Sequence, residues 1–439
     1  MTGTKTSTGA LGVLFLVVMI DMIGFGIIIP FLTYFIEDLA TAEGLLEFGL
    51  WVGLMMSAYS AAQFLFSPFW GSLSDRMGRK PIIIAGLVGN SVFFTIFGMS
   101  TSLIMALIAR FMAGAFNANI AVAKAYIGDV SDHLNLAKRM GLIGAAFGVG
   151  FTIGPFIGGE FSNPASKWNL FTDTIFATYP YLLPCVIASV LSIISLFLAI
   201  KWLPESKFTD NDASKTSLNP VKQLSSIVFD LKRVMAMPQL GNLLMVSVLF
   251  MYGFTIMHAS FVLFTEWGLG FDEAENGRVF LLIGLNGLLI QGVLIGKLTN
   301  KFGSMKLMRW GTLICGIGLT LIPHVSTEFV WLTMSIVVLM ISTGNSLFQP
   351  SYMAILAQET KHQGYEMGLV MGTQESASAF ARIFGPLTGG IVWDLSVNKT
   401  GLVSDATTFH LCGLMLLAAF LLQFRIKASN EMISENFQE

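Results

Sequence analysis

Twelve apolar runs govern what this chain can fold into, at roughly 10–35, 50–70, 82–100, 103–127, 140–160, 180–202, 240–265, 277–297, 310–325, 330–356, 367–393 and 406–425. About 20 consecutive apolar residues cross the hydrocarbon of a bilayer as a helix. No water satisfies exposed peptide groups there, so each crossing segment must bond its own backbone. A soluble reading founders on charge. Only 12% of the 439 residues are charged and 54% are hydrophobic, with a mean hydropathy of +0.71, whereas soluble domains carry about 25% charged residues. The sequence predicts an all-α, multi-pass membrane protein with 12 transmembrane helices. The first run, Ala10 to Phe35, outlasts a signal-peptide core and lacks a small-x-small cleavage site, so it reads as a retained span. The net charge of −2 says nothing about nucleic acid, and without a dense basic tract no nucleic-acid partner is expected. Cys185, Cys315 and Cys412 lie in apolar runs at a spacing that suits no metal site, and are expected to be reduced, buried thiols.

Cations set the orientation, because cytoplasmic loops of membrane proteins are enriched in Lys and Arg. Alternate connections on one side, with the termini, hold 19 of the 25 cations; the opposite connections hold Lys167, Arg278 and Lys399. Arg110, Lys124 and Arg382 fall inside the runs. Both termini are therefore expected in the cytoplasm, and the setting is a cell membrane. The polar stretch Leu203 to Pro238 halves the chain, giving bundles at 1–202 and 239–425, a linker at 203–238 and a tail at 426–439. Within the linker, Glu205 to Ser217 is polar and expected to be mobile. Val221, Leu224, Ile227, Leu231 and Val234 recur at helical spacing among Lys222, Lys232 and Arg233, an amphipathic helix suited to the membrane surface.

The halves repeat. Gly154-Pro155-x-x-Gly158-Gly159 in the fifth run returns as Gly385-Pro386-x-x-Gly389-Gly390 in the eleventh. The stretch Gly71-Ser-Leu-Ser-Asp75-Arg76-Met-Gly78-Arg79-Lys80-Pro81, between the second and third runs, returns in decayed form as Gly296 to Gly303. Offsets of 225 and 231 residues enclose an even number of runs, so the two six-helix bundles are related in parallel, about an axis along the membrane normal. Gly71 and Gly78 supply the backbone freedom of a tight turn, and Pro81 fits the first turn of the next helix.

These residues carry a resemblance. The 71–81 stretch matches the loop signature of the major facilitator superfamily, G-x-L-x-D-R-x-G-R-[RK]-P, at every fixed position. Asp21-Met-Ile-Gly-Phe-Gly-x-x-x-Pro30 resembles the first helix of its drug–proton antiporter branch, which includes the tetracycline exporters. Arg110-Phe-Met-Ala-Gly114, Ala125-Tyr-Ile-Gly-Asp129, Gly150-x-x-x-Gly154-Pro155 and Leu203-Pro-Glu-Ser206 resemble the same branch. Where tetracycline exporters carry acids in the third and ninth helices and a histidine in the eighth, this chain has Phe93, Cys315 and Gly287. The resemblance implies the major facilitator fold. It also implies a conformational latch of Gly71, Asp75, Arg76, Gly78, Arg79, Lys80 and Asp129, and an antiporter helix-packing motif of Gly150, Gly154, Pro155, Gly158 and Gly159.

The residues themselves suggest where chemistry resides. Asp21 is a carboxyl deep in an apolar run, a cost of roughly 3 kcal/mol or more unless paired or hydrated. Arg110 can meet it from the fourth run. Burial and a neighbouring guanidinium act on such a carboxyl in opposite senses, so Asp21 and Arg110 are the first candidates for proton coupling. Glu375 is the second. Arg110, Asn117 and Lys124 recur with a period of seven. Asn345, Gln349 and Tyr352 form a polar stripe in the tenth run, and Gln374, Glu375, Ser378 and Arg382 another in the eleventh. Three such stripes cannot all face lipid, and they predict a wet substrate cavity between the halves. His258 reads as packing. No metal-ligand cluster, nucleophile–base pair or phosphate loop is visible, so no enzyme activity and no cofactor is expected. A monomer that exports an amphipathic small molecule on the proton gradient is the leading expectation. An importer of a metabolite or metal chelate, and a non-transporting receptor of the same fold, remain open.

Overall fold

The structure, a computed structural model, describes residues 8–117, 119–131, 136–206, 220–397 and 404–426. Among them every regular element is helical. The chain opens with α1 (Thr8–Ile28), α2 (Leu32–Ala42), α3 (Gly49–Met77), α4 (Arg79–Gly98), α5 (Leu103–Phe116), α6 (Asn119–Val130) and α7 (Leu136–Phe161). Two single-turn helices follow, α8 (Pro164–Lys167) and α9 (Ile175–Thr178), before α10 (Leu182–Trp202) and the linker helix α11 (Pro220–Met235). Then come α12 (Pro238–Leu269), α13 (Glu273–Leu289), a π-turn at Ile290–Leu294, and α14 (Ile295–Phe302). The last long helices are α15 (Ser304–Leu321), α16 (Val330–His362), α17 (Met367–Val397) and α18 (Asp405–Leu422). They gather into two compact units, Met1–Gln223 with Gly270–Gly284, and Leu224–Leu269 with Leu285–Glu439. The boundary therefore falls inside α13 rather than only at the linker.

Ten of the helical segments are long and apolar enough to cross a membrane, a count made among the described residues. The two runs outside that set are α7 and α17, of 26 and 31 residues. Both carry the Gly-Pro repeat, and in α17 polar residues, among them Gln374, Glu375, Arg382 and Asp394, dilute the hydropathy. Two expected continuous runs are broken. The first is divided at Ile29–Phe31, beside Pro30, into α1 and α2, because proline cannot supply the backbone donor that helix continuity needs. The fourth is divided at Asn117, where α5 ends, so Arg110 and Lys124 stand on separate helices, α5 and α6. The amphipathic segment forms α11 as anticipated, with Val234 buried and Lys232 and Arg233 exposed. Residues 207–217 of the expected mobile stretch lie outside the described residues.

Between helices in lipid, packing rests on close approach of small residues rather than on expulsion of water. Unit 1 follows that rule along α7. A methyl group at Gly150 would collide with Met22, and one at Gly158 with the carbonyl of Ile27. At Gly154 it would come within 2.6 Å of the Ile23 carbonyl. All three contacts are with α1, so two backbones lie almost in contact. Unit 2 repeats the device: a methyl at Gly389 would meet the Ile256 carbonyl at 2.5 Å, and one at Gly385 would strike Thr255, both on α12. Around these seams unit 1 buries Leu14, Val18, Ile83, Leu87, Tyr126 and Ala146 in one cluster. In unit 2 Phe250 of α12 stacks on Phe348 of α16 with ring centres 3.7 Å apart. Cys185, Cys315 and Cys412 are buried free thiols. His258 is half-buried and edge-on to Phe254 at 5.1 Å, a packing contact.

Candidate functional site

Unit 1 carries a polar cluster inside its helices. Asp21 of α1 is fully buried and accepts a hydrogen bond from Asn90 Nδ2 of α4 at 3.4 Å. Arg110 of α5 is equally enclosed, at 3% exposure. Its guanidinium carbon lies 4.8 Å from the centre of the Tyr59 ring and 5.7 Å from that of Phe97, an arrangement in which aromatic faces attract the cation. Asn117, at the end of α5, donates from Nδ2 to the Tyr59 hydroxyl, and its carbonyl accepts from Gln63 Nε2 at 3.3 Å. Among the described residues Arg110 Nε and Nη1, Asn90 Oδ1 and Asn117 Oδ1 are buried without a hydrogen-bond partner. Four buried polar atoms in one small region, each costly when left unsatisfied, give the cluster capacity to hold water, a proton or a polar ligand. Asn90 and Tyr59 were not singled out in the sequence. Each stands among small polar residues, Tyr59 between Ser57 and Ser60 and Asn90 beside Ser91, so no signal in the sequence separates them. Lys124, grouped with this cluster from its spacing, is exposed on α6.

At the end of α3 the charged stretch builds a compact network. Arg79, 6% exposed, pairs with Asp75 and Asp129 at 2.9 Å each, and its Nη1 donates to Ser74 Oγ at 2.5 Å. Gly78 alone connects α3 to α4, at φ +95° and ψ 161°, a conformation reserved for glycine. Gly71, expected to share that turn, instead lies within the unbroken helix α3. The polar residues that follow α10 also belong to the network, contrary to the mobility expected from Glu205 onward. Glu205 Oε1 accepts from the backbone N–H of Arg79 at 2.8 Å, and Oε2 from that of Lys80 at 3.1 Å. A carboxylate thus caps the N-terminus of α4, where orphan donors and the helix dipole favour negative charge. Ser206 adds a hydrogen bond to Asp129 at 3.1 Å, and Lys80 Nζ donates to the Ile200 carbonyl at 2.8 Å. Arg76 lies in the last turn of α3.

Within the same unit, Gly159 of α7 touches the start of α13: a methyl there would strike the Glu273 carbonyl and lie 3.0 Å from Gly277 Cα. Arg278 pairs with Glu160 at 2.8 Å, and Asn276 Nδ2 donates to the Tyr34 hydroxyl at 2.8 Å. Pro155 packs against Gly26 of α1.

Unit 2 presents a second polar group. Gln374 of α17 is buried and donates to Ser378 Oγ at 2.9 Å and to Ser247 Oγ at 3.4 Å. Gln349 Nε2 reaches Met251 Sδ at 3.3 Å, and Tyr352 is fully buried, its ring 5.5 Å from that of Phe348. Asn345 Oδ1 is buried and has no partner among the described residues. Glu375 pairs with Arg382 at 2.8 Å, with side chains 53% and 32% exposed. The two ends of that α17 stripe therefore neutralise each other locally. Among the described residues no group of three or more His, Cys, Asp or Glu side chains converges as metal ligands would.

The Major Facilitator Superfamily profile matches residues 14–386 of the chain. Multidrug resistance protein 2 of Bacillus subtilis is 28% identical over 382 residues, covering 87% of this chain and 88% of its own. The class B tetracycline resistance protein of Escherichia coli is 25% identical over 381 residues, with 87% and 88% covered. A probable peptide/nitrate transporter of Arabidopsis thaliana is 28% identical over 403 residues, with 86% and 81% covered. Among solved structures, the human organic anion transporter MFSD10 superposes with a TM-score of 0.65 at 22% identity, covering 94% of this chain and 98% of its own. That likeness establishes the fold.

Proposed function

The chain belongs to the Major Facilitator Superfamily, and from that premise we propose a proton-coupled secondary transporter that exports an amphipathic small molecule by alternating access. It is an integral multi-pass membrane protein whose relatives are transporters, including multidrug and tetracycline resistance proteins, and it is not an enzyme. The observation that carries the mechanism is the buried carboxyl of Asp21 beside Asn90, in a region where Arg110 keeps unpartnered donors. A carboxyl there holds or releases one proton per cycle, and movement of water or substrate at Arg110 changes which state is favoured. Proton flow down its gradient then drives the cycle without a bound cofactor.

In this reading α7 and α17 complete a set of twelve spans in two parallel-related bundles at 1–202 and 239–425, with both termini cytoplasmic and a monomer as the working unit. Asn117, Lys124, Asn345, Gln349, Tyr352, Gln374 and Arg382 contact the substrate. Glu375, already paired with Arg382, is a secondary proton site. Asp75, Arg79 and Asp129 form a latch made and broken once per cycle, supported by their mutual ion pairs.

Asp21→Asn tests the reading in proteoliposomes loaded with a fluorescent amphipathic drug. The amide keeps the shape but cannot release a proton. Accumulation driven by a pH gradient should fall to background while downhill exchange persists, and Glu375→Gln should retain most of the driven uptake. Undiminished pH-driven accumulation by Asp21→Asn would move the coupling site elsewhere.

A further inference from the structure

The end of unit 1 opposite Gly78 contains a cavity of about 280 Å³. It lies where α2 ends, where α4 turns into α5, and where Thr178–Tyr181 leads into α10. None of the residues discussed for proton coupling lines it. Its walls combine one carboxylate, Asp38, with the rings of Phe35, Tyr179 and Tyr181. The Tyr181 hydroxyl donates to Asp38 Oδ2 at 3.2 Å, which fixes the carboxylate and leaves Oδ1 for a ligand. The Tyr181 ring is itself held, stacked on Phe31 at 5.4 Å and tilted against Phe35 at 5.2 Å. Phe35 stands edge-on to Phe97 at 5.1 Å. Packing thus fixes Phe35 and Tyr181, while Asp38 is exposed at the cavity's mouth and is held by its Tyr181 hydrogen bond.

Charge selects the kind of ligand. From Lys5 to Arg76 the sequence has no Lys or Arg, while Glu37, Asp38, Glu43 and Glu47 crowd the segment around the cavity. Of the nearby cations from other elements, Lys167 acts on Glu273 beside Tyr181, and Arg110 is enclosed behind Phe97. That field attracts cations and repels anions. A divalent metal needs six or more oxygen ligands in the calcium case and near-ideal octahedral geometry in the magnesium case, which one carboxylate among aromatic walls does not supply. Aromatic faces with a single anion are instead the surroundings in which alkylammonium groups are held. We propose that this cavity binds a small monovalent organic cation, with its ammonium group on Asp38 and its alkyl groups against Phe35, Tyr179 and Tyr181. The site is independent of Asp21 and stands or falls apart from the transport reading.

The test is equilibrium binding of radiolabelled choline to the purified full-length chain in lipid nanodiscs, with 3,3-dimethyl-1-butanol as the neutral isostere. Choline should bind, and the alcohol should fail to compete. Asp38→Asn should weaken binding about tenfold or more. Thr178→Lys, at an exposed position on the cavity wall, should abolish it by placing a tethered ammonium group at the site. Gel filtration of each variant verifies that it remains folded, and Thr178→Lys keeps the test decisive if Asp38→Asn does not fold. Absence of choline binding, equal competition by the alcohol, or unchanged affinity in a folded Asp38→Asn or Thr178→Lys would overturn the proposal. Loss on Asp21→Asn with retention on Asp38→Asn would do so too, by moving the ligand to the other cluster. Displacement by magnesium chloride beyond that by sodium chloride of equal ionic strength would assign a divalent metal instead.

Discussion

Two glycines in one stretch of eleven residues have opposite physical roles. Gly78 occupies a backbone region that other residues enter at about 1–3 kcal/mol, and a methyl on it would collide with the Glu205 carboxylate. Gly71 sits in the middle of a helix with open space around it, where alanine is better than glycine by about 0.5–1 kcal/mol. Gly78→Ala should therefore lower the thermal midpoint of the purified protein while Gly71→Ala leaves it unchanged or raises it, as read by thiol-dye unfolding in detergent. In sequence the two looked alike, since a glycine reports freedom and not whether that freedom is used. Asp38 gives a pH dependence of defined sign. Burial raises its pKa above the ordinary aspartate value, the Tyr181 hydrogen bond lowers it, and Glu37 raises it. Glu273, which Tyr181 also contacts, adds a second acid nearby; Tyr179 and Tyr181 are the phenols that face Asp38. Because the net shift is upward, the anion is lost on acidification sooner than for a free aspartate. Choline affinity should fall as pH drops through the carboxyl range and hold steady above it, and titrating the binding curves measures this.

Helices were legible where periodic apolar residues or small-residue spacing dictated them. The Gly-Pro pairs at 154–155 and 385–386 marked the repeat, and in the structure glycines beside them lie in close contacts, α7 on α1 and α17 on α12. Their consequence is separable within each helix. Gly158→Leu and Gly389→Leu should remove most of the monodisperse peak in fluorescence-detected gel filtration. Gly144→Leu and Gly372→Leu, whose positions have nothing within 4 Å, should leave that peak in place. The breaks beside Pro30 and at Asn117 were hidden because an apolar run stays apolar across a kink, so hydropathy has no resolution at that scale. Contacts such as Asn90 to Asp21, Arg110 against Tyr59 and Glu205 on the start of α4 join residues 51 to 126 positions apart or sit in unremarkable runs. No local pattern encodes them. Asp21 itself was legible for the opposite reason: a lone acid in hydrocarbon is too costly to be incidental.

At the level of the molecule, the charge census predicts Ser214 in the cytoplasm and Ser404 on the opposite face. Single cysteines introduced at these positions, in a background lacking Cys185, Cys315 and Cys412, should react with a membrane-impermeant maleimide from opposite sides of sealed vesicles. Reaction from one side for both would overturn the assignment. The segment Gly270–Gly284 belonging to unit 1 was beyond reach of the sequence, where the polar linker is the only visible division. It shows that contact, and not chain order, sets the boundary of a compact unit. One further consequence lies in biosynthesis. A single residue separates Met77 from Arg79, so the two Cα atoms stand at most about 7 Å apart. The helices on either side, 29 and 20 residues long, are therefore too tightly leashed to enter a bilayer one after the other. They must leave the insertion machinery as a hairpin, with Arg76, Arg79 and Lys80 retained together at its bend.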